Sequence, residues 1–160
     1  MPRIELSTVI RAPIERVFDL ARSIDLHLVT ESSHHERAVA GVTSGLIGPG
    51  EDVTWRAKHF GVWLTLTSRI VQFDRPRHFR DSMVRGPFRR FDHDHRFEPH
   101  GDDTRMHDVF DFTSPFGVLG HLANAVLLTK RMTRLLKVRN AILKRVAESD
   151  EWKAFIGDAV

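Results

Sequence analysis

The segment of residues 113–148 constrains the fold of this chain more than any other. Ser114 and Pro115 end a strand-like run, and neither proline nor an acidic residue follows until Glu148. Apolar residues in this segment recur with a period near 3.6, typical of an amphipathic helix: Val118, Leu122, Ala125, Val126, Met132, Leu135, Leu136, Ile142, Leu143 and Val146. A helix of about 30 residues is about 45 Å long, and no other segment can form so long an element. We therefore expect a curved sheet folded round this helix.

Upstream of this helix, the sequence has the period-two alternation and the turn residues that are typical of strands and hairpins. Seven strands are predicted, at residues 3–11, 37–42, 53–59, 62–73, 78–84, 88–98 and 104–113. Pro13 opens a first short helix, where its missing N–H has no cost, and Ser23 or Asp25 caps a second one. Residues 152–160 are expected to pack loosely or fray.

These elements predict the fold class, because consecutive hairpins give antiparallel pairing. We expect a single α+β domain over residues 1–160. Its seven-stranded curved antiparallel sheet wraps round the long C-terminal helix, and two short helices lie between strands 1 and 2.

Composition and motifs exclude several classes of function. The chain has no cysteine, which rules out disulfides and thiolate chemistry. No Gly-x-Ser-x-Gly motif supports nucleophilic hydrolysis, and the glycine-rich residues 43–52 lack the Gly-Lys-Ser/Thr of a phosphate-binding loop. The N-terminus has no apolar signal core, and no run approaches the roughly 18 apolar residues of a membrane span. We expect a cytoplasmic protein without a transmembrane segment.

The positive charge of the chain is concentrated on the long helix. The net charge is +3, and the helix carries seven basic residues, Lys130, Arg131, Arg134, Lys137, Arg139, Lys144 and Arg145. We interpret them as the solvated back of an amphipathic helix; the alternative is an interaction surface for anionic lipid, nucleic acid or an acidic partner. Neither zinc-finger spacing nor an aromatic-basic RNA motif accompanies the charge, so nucleic acid is not expected as a partner.

The alternation of side chains along each strand separates an inner face from an outer face. In strand 6, the charged set Asp92, Asp94, Arg96 and Glu98 must lie outside, so the inner set is His93, His95 and Phe97. The inner set of strand 7 is Met106, Asp108, Phe110 and Phe112, and that of strand 5 is Phe79, Asp81 and Met83. Four ionisable groups therefore point inward from three consecutive strands: Asp81, His93, His95 and Asp108.

Three interpretations of these four groups stay open. Because an unpaired buried charge costs several kcal/mol (roughly), the groups could satisfy one another as a polar seam in the core. They could instead orient an otherwise apolar guest in a ligand cavity, or a His–Asp pair could perform acid–base catalysis.

A metal site has also to be weighed. His93 and His95 project to the same side, as two metal ligands would, and Asp108 or Asp81 could supply a third. Without cysteine, and with ten histidines scattered along the chain, we expect no metal and no cofactor. His34, His35 and Glu36 lack the His-Glu-x-x-His spacing and are expected at the solvated surface.

Several short motifs between residues 3 and 147 occur together in one superfamily. They are Ala12-Pro13 with Val17-Phe18, Asp74-Arg75-Pro76 with Phe79-Arg80-Asp81, Gly86-Pro87-Phe88, His93-x-His95-x-Phe97, Gly101 with Thr104-Arg105-Met106 and Asp108, and Ser114-Pro115-Phe116-Gly117 before the long helix. With them the chain resembles the START-like polyketide cyclase/dehydratase and lipid-transport superfamily (SRPBCC), which has the helix-grip fold. Together the motifs are typical of this superfamily and of a bacterial subgroup of hypothetical ligand-binding or cyclase-like proteins.

The resemblance implies a deep, mainly hydrophobic cavity between a seven-stranded antiparallel sheet and the C-terminal helix. Members of the superfamily bind lipids, polyketides, hormones or other apolar molecules, and some catalyse cyclisation or dehydration. Many relatives carry a tryptophan or proline soon after the second helix, near the cavity entrance. Residues 28–35 here are Leu-Val-Thr-Glu-Ser-Ser-His-His, which predicts a more polar entrance.

We therefore hypothesise that the chain binds a hydrophobic or amphipathic small molecule. The expected ligand-binding residues are Phe79, Asp81, Met83, His93, His95, Phe97, Met106, Asp108, Phe110, Phe112, Leu128, Met132 and Leu135. The alternative is a polyketide cyclase/dehydratase-like enzyme, with His93, His95 and Asp108 as candidate catalytic residues. Weak association of two copies of the chain as a homodimer stays open. Trp55 and Trp63 are large enough to line the cavity or to close it.

Overall fold

The computed structural model describes residues 2–30, 35–59, 61–114 and 121–157, with the side chains of residues 121–125 excepted. The elements, in chain order, are β1 (Arg3–Ile10), α1 (Ile14–Ala21), α2 (Ile24–Thr30), β2 (Arg37–Gly41), β3 (Asp52–His59), β4 (Val62–Asp74), β5 (His78–Arg85), β6 (Arg90–His100), β7 (Asp103–Thr113), α3 (His121–Ala147) and α4 (Lys153–Ile156). A short 3-10 helix, Asp150–Trp152, lies between the last two. The predicted α+β fold class is confirmed, with two short helices after the first strand.

The seven strands form one antiparallel sheet in the order β1-β7-β6-β5-β4-β3-β2. Strands β2 to β7 pair with their neighbours in sequence, as the hairpin signals predict. β1 instead pairs with β7, so that Ile4 lies opposite Phe110 and Leu6 opposite Asp108. Since these residues are about a hundred positions apart in the chain, no local sequence signal specifies this pairing, which places the first and the last strand side by side.

The long helix predicted from the apolar period is α3, whose 27 residues span His121–Ala147. Leu136, Leu143 and Val146 of the predicted apolar stripe are buried, whereas Val126 is 52% exposed. The beginning of the predicted helix, at residues 115–120, lies outside the described residues, as does most of the Ser-Pro-Phe-Gly motif. Among the described residues, no helix is both long enough and apolar enough to cross a bilayer.

The main hydrophobic core lies where α1 packs on the sheet. Phe18 is fully buried, and its ring makes edge contacts with Phe73, Phe79 and Phe97 at centroid distances of 5.4, 5.4 and 5.3 Å. Edge-to-face contacts of this kind stabilise a core beyond the area that they bury. α1 is thereby fixed against β4, β5 and β6 at one end of the sheet.

The C-terminal residues are folded rather than frayed: the expectation was wrong for Trp152, whereas α4, which has no buried residue, packs loosely as expected. Trp152 is buried, and the guanidinium of Arg16 lies 4.3 Å from the centroid of its ring. Ser149 caps the 3-10 helix by accepting a hydrogen bond from the backbone N–H of Glu151. A large aromatic ring with a cation to cover it gains enough from burial to order a segment this short. Residues 158–160 lie outside the described residues.

The carboxylate of Glu148 ties the end of α3 to the β1–α1 loop and gives a pH-dependent contribution to stability. It accepts hydrogen bonds from the backbone N–H of Arg11 at 2.9 Å and from Lys144 Nζ at 2.6 Å. The bond from the backbone of Arg11 is the main cause that lowers the pKa of Glu148 to about 2. Because the folded pKa lies below the unfolded one, this contribution is present above about pH 4.5 and is lost as the pH falls towards 2.

We expect Glu148→Gln to lower the free energy of unfolding at pH 7 by about 1 kcal/mol, since glutamine keeps the shape but not the charge. The difference in the free energy of unfolding between the unmodified protein and Glu148→Gln should shrink as the pH is lowered from 5 to about 2. Urea denaturation at several pH values measures it. A difference that stays constant down to pH 2 would contradict a stabilising role of the ionised Glu148 carboxylate.

Candidate functional site

A cavity of about 530 Å³ lies between the concave face of the sheet and α3. Most of its wall is apolar, with side chains from α2, from β3 to β7 and from the middle of α3. Eight of the thirteen residues expected to bind a ligand lie on this wall: Phe79, Asp81, His93, His95, Phe110, Leu128, Met132 and Leu135. Trp55 also lines the cavity, whereas Trp63 is 48% exposed and lies under the guanidinium of Arg56.

The other five expected ligand-binding residues do not line the cavity. Phe97 and Met106 are buried in the core round Phe18, beyond the end of the cavity. Phe112 and Met83 pack in a second apolar cluster, and Asp108 is fully buried behind the two histidines. Alternation along a strand gives the face of each residue correctly, but it does not say how far along the strand the cavity extends.

Strand register brings the four inward ionisable groups together. Asp81 on β5 lies opposite His93 on β6, and His95 lies opposite Asp108 on β7. Since residues two apart on a strand share a face, His93 and His95 are neighbours, with ring centroids 3.8 Å apart. Their side chains are 8% and 2% exposed, that of Asp108 is fully buried, and that of Asp81 is 21% exposed.

The two carboxylates lie on opposite sides of the imidazole pair. His93 Nε2 is hydrogen-bonded to Asp108 Oδ1 at 3.2 Å, and His95 Nε2 to Asp81 Oδ1 at 3.1 Å. His95 Nδ1 lies 2.8 Å from Asp108 Oδ1, without the alignment of a hydrogen bond. His93 Nδ1 lies 3.9 Å from Asp81 Oδ1. Each imidazole therefore has one nitrogen towards Asp108 and the other towards Asp81.

Two residues of α3 complete this polar cluster, and neither was predicted. Asn140 is buried, and its Nδ2 donates a hydrogen bond to Asp108 Oδ2 at 2.7 Å. Arg139 is also buried; its Nη2 donates to the carbonyl oxygen of Ala21 at 3.0 Å, and its Nη1 lies 3.7 Å from Asp108 Oδ1. We call these six residues the polar cluster: Asp81, His93, His95, Asp108, Arg139 and Asn140.

The position of Arg139 corrects the interpretation of all seven basic residues of the helix as its solvated back. Arg139 is buried, while Lys130, Arg134, Lys137 and Arg145 are exposed. A signal was available in the sequence, because Arg139 and Asn140 fall three or four residues from both Leu136 and Leu143, on the buried stripe. A pattern that counts only apolar residues does not register polar ones on the same face.

Burial and mutual contact set the protonation of the cluster. Burial, followed by the neighbouring His95, lowers the pKa of His93 to about 4. Burial also opposes the charge of His95, but the contacts with Asp108 and Asp81 outweigh it and raise the pKa of that imidazole. Burial would raise the pKa of both carboxyls, yet the histidines hold the pKa of Asp108 well below its usual range and lower that of Asp81. The cluster therefore contains two ionised carboxylates and one imidazole that is favoured for protonation.

A second group of polar side chains on the cavity wall was not predicted either. His27 Nε2 is hydrogen-bonded to Glu36 at 2.7 Å, and the ring of His27 lies against Trp55. Arg131 lies 3.0 Å from Nδ1 of His59. All five residues line the cavity, so the expectation that Glu36 is solvated surface was wrong: its side chain is only 11% exposed. Half of the entrance segment that we expected to be polar, residues 31–34 of the segment 28–35, lies outside the described residues.

The arrangement can support several kinds of chemistry. Apolar walls can bury the hydrocarbon part of a guest, while a few convergent polar groups fix its orientation. A His–Asp pair on the wall can exchange a proton with a guest. Asp81, His93 and His95 can also present three metal-ligating atoms that all lie within 4.8 Å of one another.

Comparisons with known proteins agree with this architecture. A family model described as "Polyketide cyclase / dehydrase and lipid transport" matches residues 1–148. No curated protein sequence matches the chain significantly.

Three solved structures illustrate the fold. The protein TTHA0849 from Thermus thermophilus is 19% identical in sequence and superposes with a TM-score of 0.69. The match covers 91% of the present chain and 99% of TTHA0849. Ms6760 from Mycobacterium smegmatis is 18% identical, and the match covers 90% of the present chain and 89% of Ms6760 with a TM-score of 0.65. The major latex-like protein 151 from Panax ginseng is 14% identical, and the match covers 92% of the present chain and 98% of the ginseng protein with a TM-score of 0.62. At such identities the likeness shows the fold alone.

Proposed function

Since the chain belongs to the polyketide cyclase/dehydrase and lipid transport family, we propose that it binds a hydrophobic or amphipathic small molecule in the cavity between the sheet and α3. The observation that carries this proposal is the cavity of about 530 Å³. Its volume and its apolar wall with a few polar groups are typical of small-molecule sites. A chain that only needed a core would gain stability by filling this space, because protein interiors are close-packed.

The polar cluster would select the orientation of the guest. Buried polar groups strongly favour a guest that hydrogen-bonds to them over one that leaves them unpaired. Arg139 Nη1 is buried and has no hydrogen-bond partner among the described residues, and Arg139 lines the cavity. We infer that the guest has a hydrocarbon body and one polar end, which lies against Asp81, His93, His95 and Arg139.

Mass spectrometry of the small molecules released from protein purified without denaturant tests this function directly. An apolar or amphipathic compound recovered reproducibly, at close to one molecule per chain, is the expected result. Recovery of only buffer components, together with no saturable binding of a naphthalene sulfonate probe, would overturn the proposal.

A substitution that fills the cavity sharpens the test. Ala57 is buried and lines the cavity, so Ala57→Phe is expected to weaken probe binding by about tenfold or more, which corresponds to about 1.4 kcal/mol. Ala40, which is exposed on β2, provides the matched control, because Ala40→Phe adds the same ring outside the cavity. Fluorescence titration of the three proteins measures the effect, and equal affinities for all three would place the probe elsewhere.

A second candidate function is that of a cyclase- or dehydratase-like enzyme. It is favoured by the position of His93 and His95 on the cavity wall, each beside a carboxylate that can orient the imidazole. Replacing both histidines by leucine distinguishes the two functions once a guest is known. Loss of turnover with unchanged affinity indicates an enzyme; a parallel loss or gain in both does not.

A further inference from the structure

We propose that Asp81, His93 and His95 form a binding site for a divalent transition-metal ion of the zinc type on the wall of the cavity. The expected ligand atoms are Asp81 Oδ1, His93 Nδ1 and His95 Nε2. This proposal concerns the ion alone and holds whether or not the cavity also binds an organic guest.

The spacing of these atoms fits such an ion. Zinc binds imidazole nitrogen and carboxylate oxygen at about 2.0–2.2 Å, so two ligand atoms of a tetrahedral site lie roughly 3.3 Å apart. Asp81 Oδ1 lies 3.1 Å from His95 Nε2 and 3.9 Å from His93 Nδ1. All three ligand groups lie within 4.8 Å of one another. Asp81 is 21% exposed, so its carboxylate can adjust its distances to the two histidines.

Asp108 supplies the outer carboxylate that metal-bound histidines usually have. Histidine ligands commonly donate their other ring N–H to a carboxylate, which fixes the tautomer and the orientation of the ring. Asp108 Oδ1 lies 3.2 Å from His93 Nε2 and 2.8 Å from His95 Nδ1, on the side away from Asp81. Asn140 holds the second oxygen of this carboxylate at 2.7 Å. Asp108 and Asn140 do not line the cavity, whereas the three expected ligands do.

The charge of the polar cluster can accommodate a cation. Asp81 and Asp108 contribute two negative charges, and Arg139 and the protonated His95 contribute two positive charges, so the cluster is neutral without an ion. An uncompensated buried charge is costly. A divalent ion, taking the place of the proton between His95 Nε2 and Asp81 Oδ1, leaves one positive charge. An anionic fourth ligand from the cavity, such as hydroxide or a carboxylate, then balances it.

The position of the ligands leaves that fourth coordination site towards the cavity. Three protein ligands with one open position distinguish catalytic or ligand-exchanging zinc sites from closed structural ones. Two nitrogens and one carboxylate oxygen suit Zn²⁺, Co²⁺, Ni²⁺ or Cu²⁺ better than Mg²⁺ or Ca²⁺, which prefer oxygen ligands only. The site would therefore hold an ion that an amphipathic guest with a carboxylate end can reach.

Titration of tag-free, chelator-treated protein with Zn²⁺ and Co²⁺ tests the site without any knowledge of a guest. We expect one ion per chain by equilibrium dialysis with elemental analysis, and the visible absorption of a low-symmetry Co²⁺ site. Asp81→Asn and His93→Gln should abolish this spectrum. Asp108→Asn should keep one ion per chain but weaken binding by about 10- to 100-fold, as expected for an outer partner.

His78→Gln is the matched control. His78 lies on β5 but on the outer face, where it is hydrogen-bonded to Asp94, so its loss should leave both the stoichiometry and the spectrum unchanged. Circular dichroism verifies that each variant folds. If the ligand variants fail to fold, the site is tested on the unmodified protein. We then expect Zn²⁺, but not Mg²⁺, to raise its thermal midpoint.

Three results would overturn the proposal. They are uptake well below one ion per chain, uptake that survives the double substitution Asp81→Asn with His93→Gln, and an equal loss of uptake in His78→Gln. Binding of the organic probe in the presence of a chelator is measured in parallel. Since that binding concerns the cavity alone, failure of the metal site and failure of the small-molecule function give different results.

Discussion

Replacing Asp108 with alanine is expected to lower the free energy of unfolding by about 3–5 kcal/mol, because it removes the shared partner of a buried polar network. The fully buried carboxylate contacts His93, His95, Arg139 and Asn140 at distances between 2.7 and 3.7 Å. Alanine leaves the guanidinium without its nearest counter-charge and the amide of Asn140 without its acceptor. Each polar group left unsatisfied in the interior adds a penalty of its own.

The measurement is denaturant unfolding at pH 7, with Asp111→Ala as control. Asp111 lies on the same strand but on the outer face, and its side chain is 27% exposed, so its replacement should change stability by no more than about 0.5 kcal/mol. For a chain of this size, the loss in Asp108→Ala corresponds to a fall of the thermal midpoint of about 6–20 °C. A fall equal to that of the control would mean that the network contributes little to stability.

Replacing Phe18 with alanine is the second change with a large expected effect. Phe18 is fully buried where α1 meets the sheet and contacts the rings of Phe73, Phe79 and Phe97. Truncation of such a side chain costs about 3–5 kcal/mol, because transfer free energy is lost and a cavity is left. Since Phe79 also lines the ligand cavity, we expect the new space to loosen that wall and weaken probe binding as well.

Phe155→Ala is the appropriate comparison for this second prediction. Phe155, on the short helix α4, is only partly buried and packs at the edge of the same core, so its truncation should cost less than half as much. Thermal unfolding and probe titration of both variants separate the two effects. Loss of stability in Phe18→Ala with unchanged probe affinity would show that the cavity wall does not depend on this contact.

Local sequence patterns predicted the elements and the inner face of the sheet. The strands end within a few residues of the predicted positions, and the set of Asp81, His93, His95 and Asp108 points inward as the alternation predicts. The superfamily suggested by the short motifs is confirmed by the family match over residues 1–148. These inferences succeed because periodicity and turn residues are properties of neighbouring residues, which the chain order alone determines.

The choice of partners for the four inward groups could not be read from the same patterns. Asn140 and Arg139 reach Asp108 only because α3 packs on the sheet in one particular rotation, which places two polar residues of the apolar stripe against a carboxylate. Likewise, Phe97 and Met106 share the inner face with His93 but lie past the end of the cavity. Where a helix crosses a sheet is fixed by the packing of many distant side chains, not by a local signal.

The sequence by itself thus determined that this chain has a strand-rich body, one long helix and ionisable groups on the inner face. Only the tertiary structure decided that these groups meet in one cluster, that Asp108 is held behind the histidines by Asn140, and that Asp81 remains on the cavity wall. The physical reason is the distance along the chain over which each interaction acts. Alternation and helical period act between residues a few positions apart, whereas the cluster joins β5, β6, β7 and α3 across intervals of up to 59 residues in the chain, from Asp81 to Asn140.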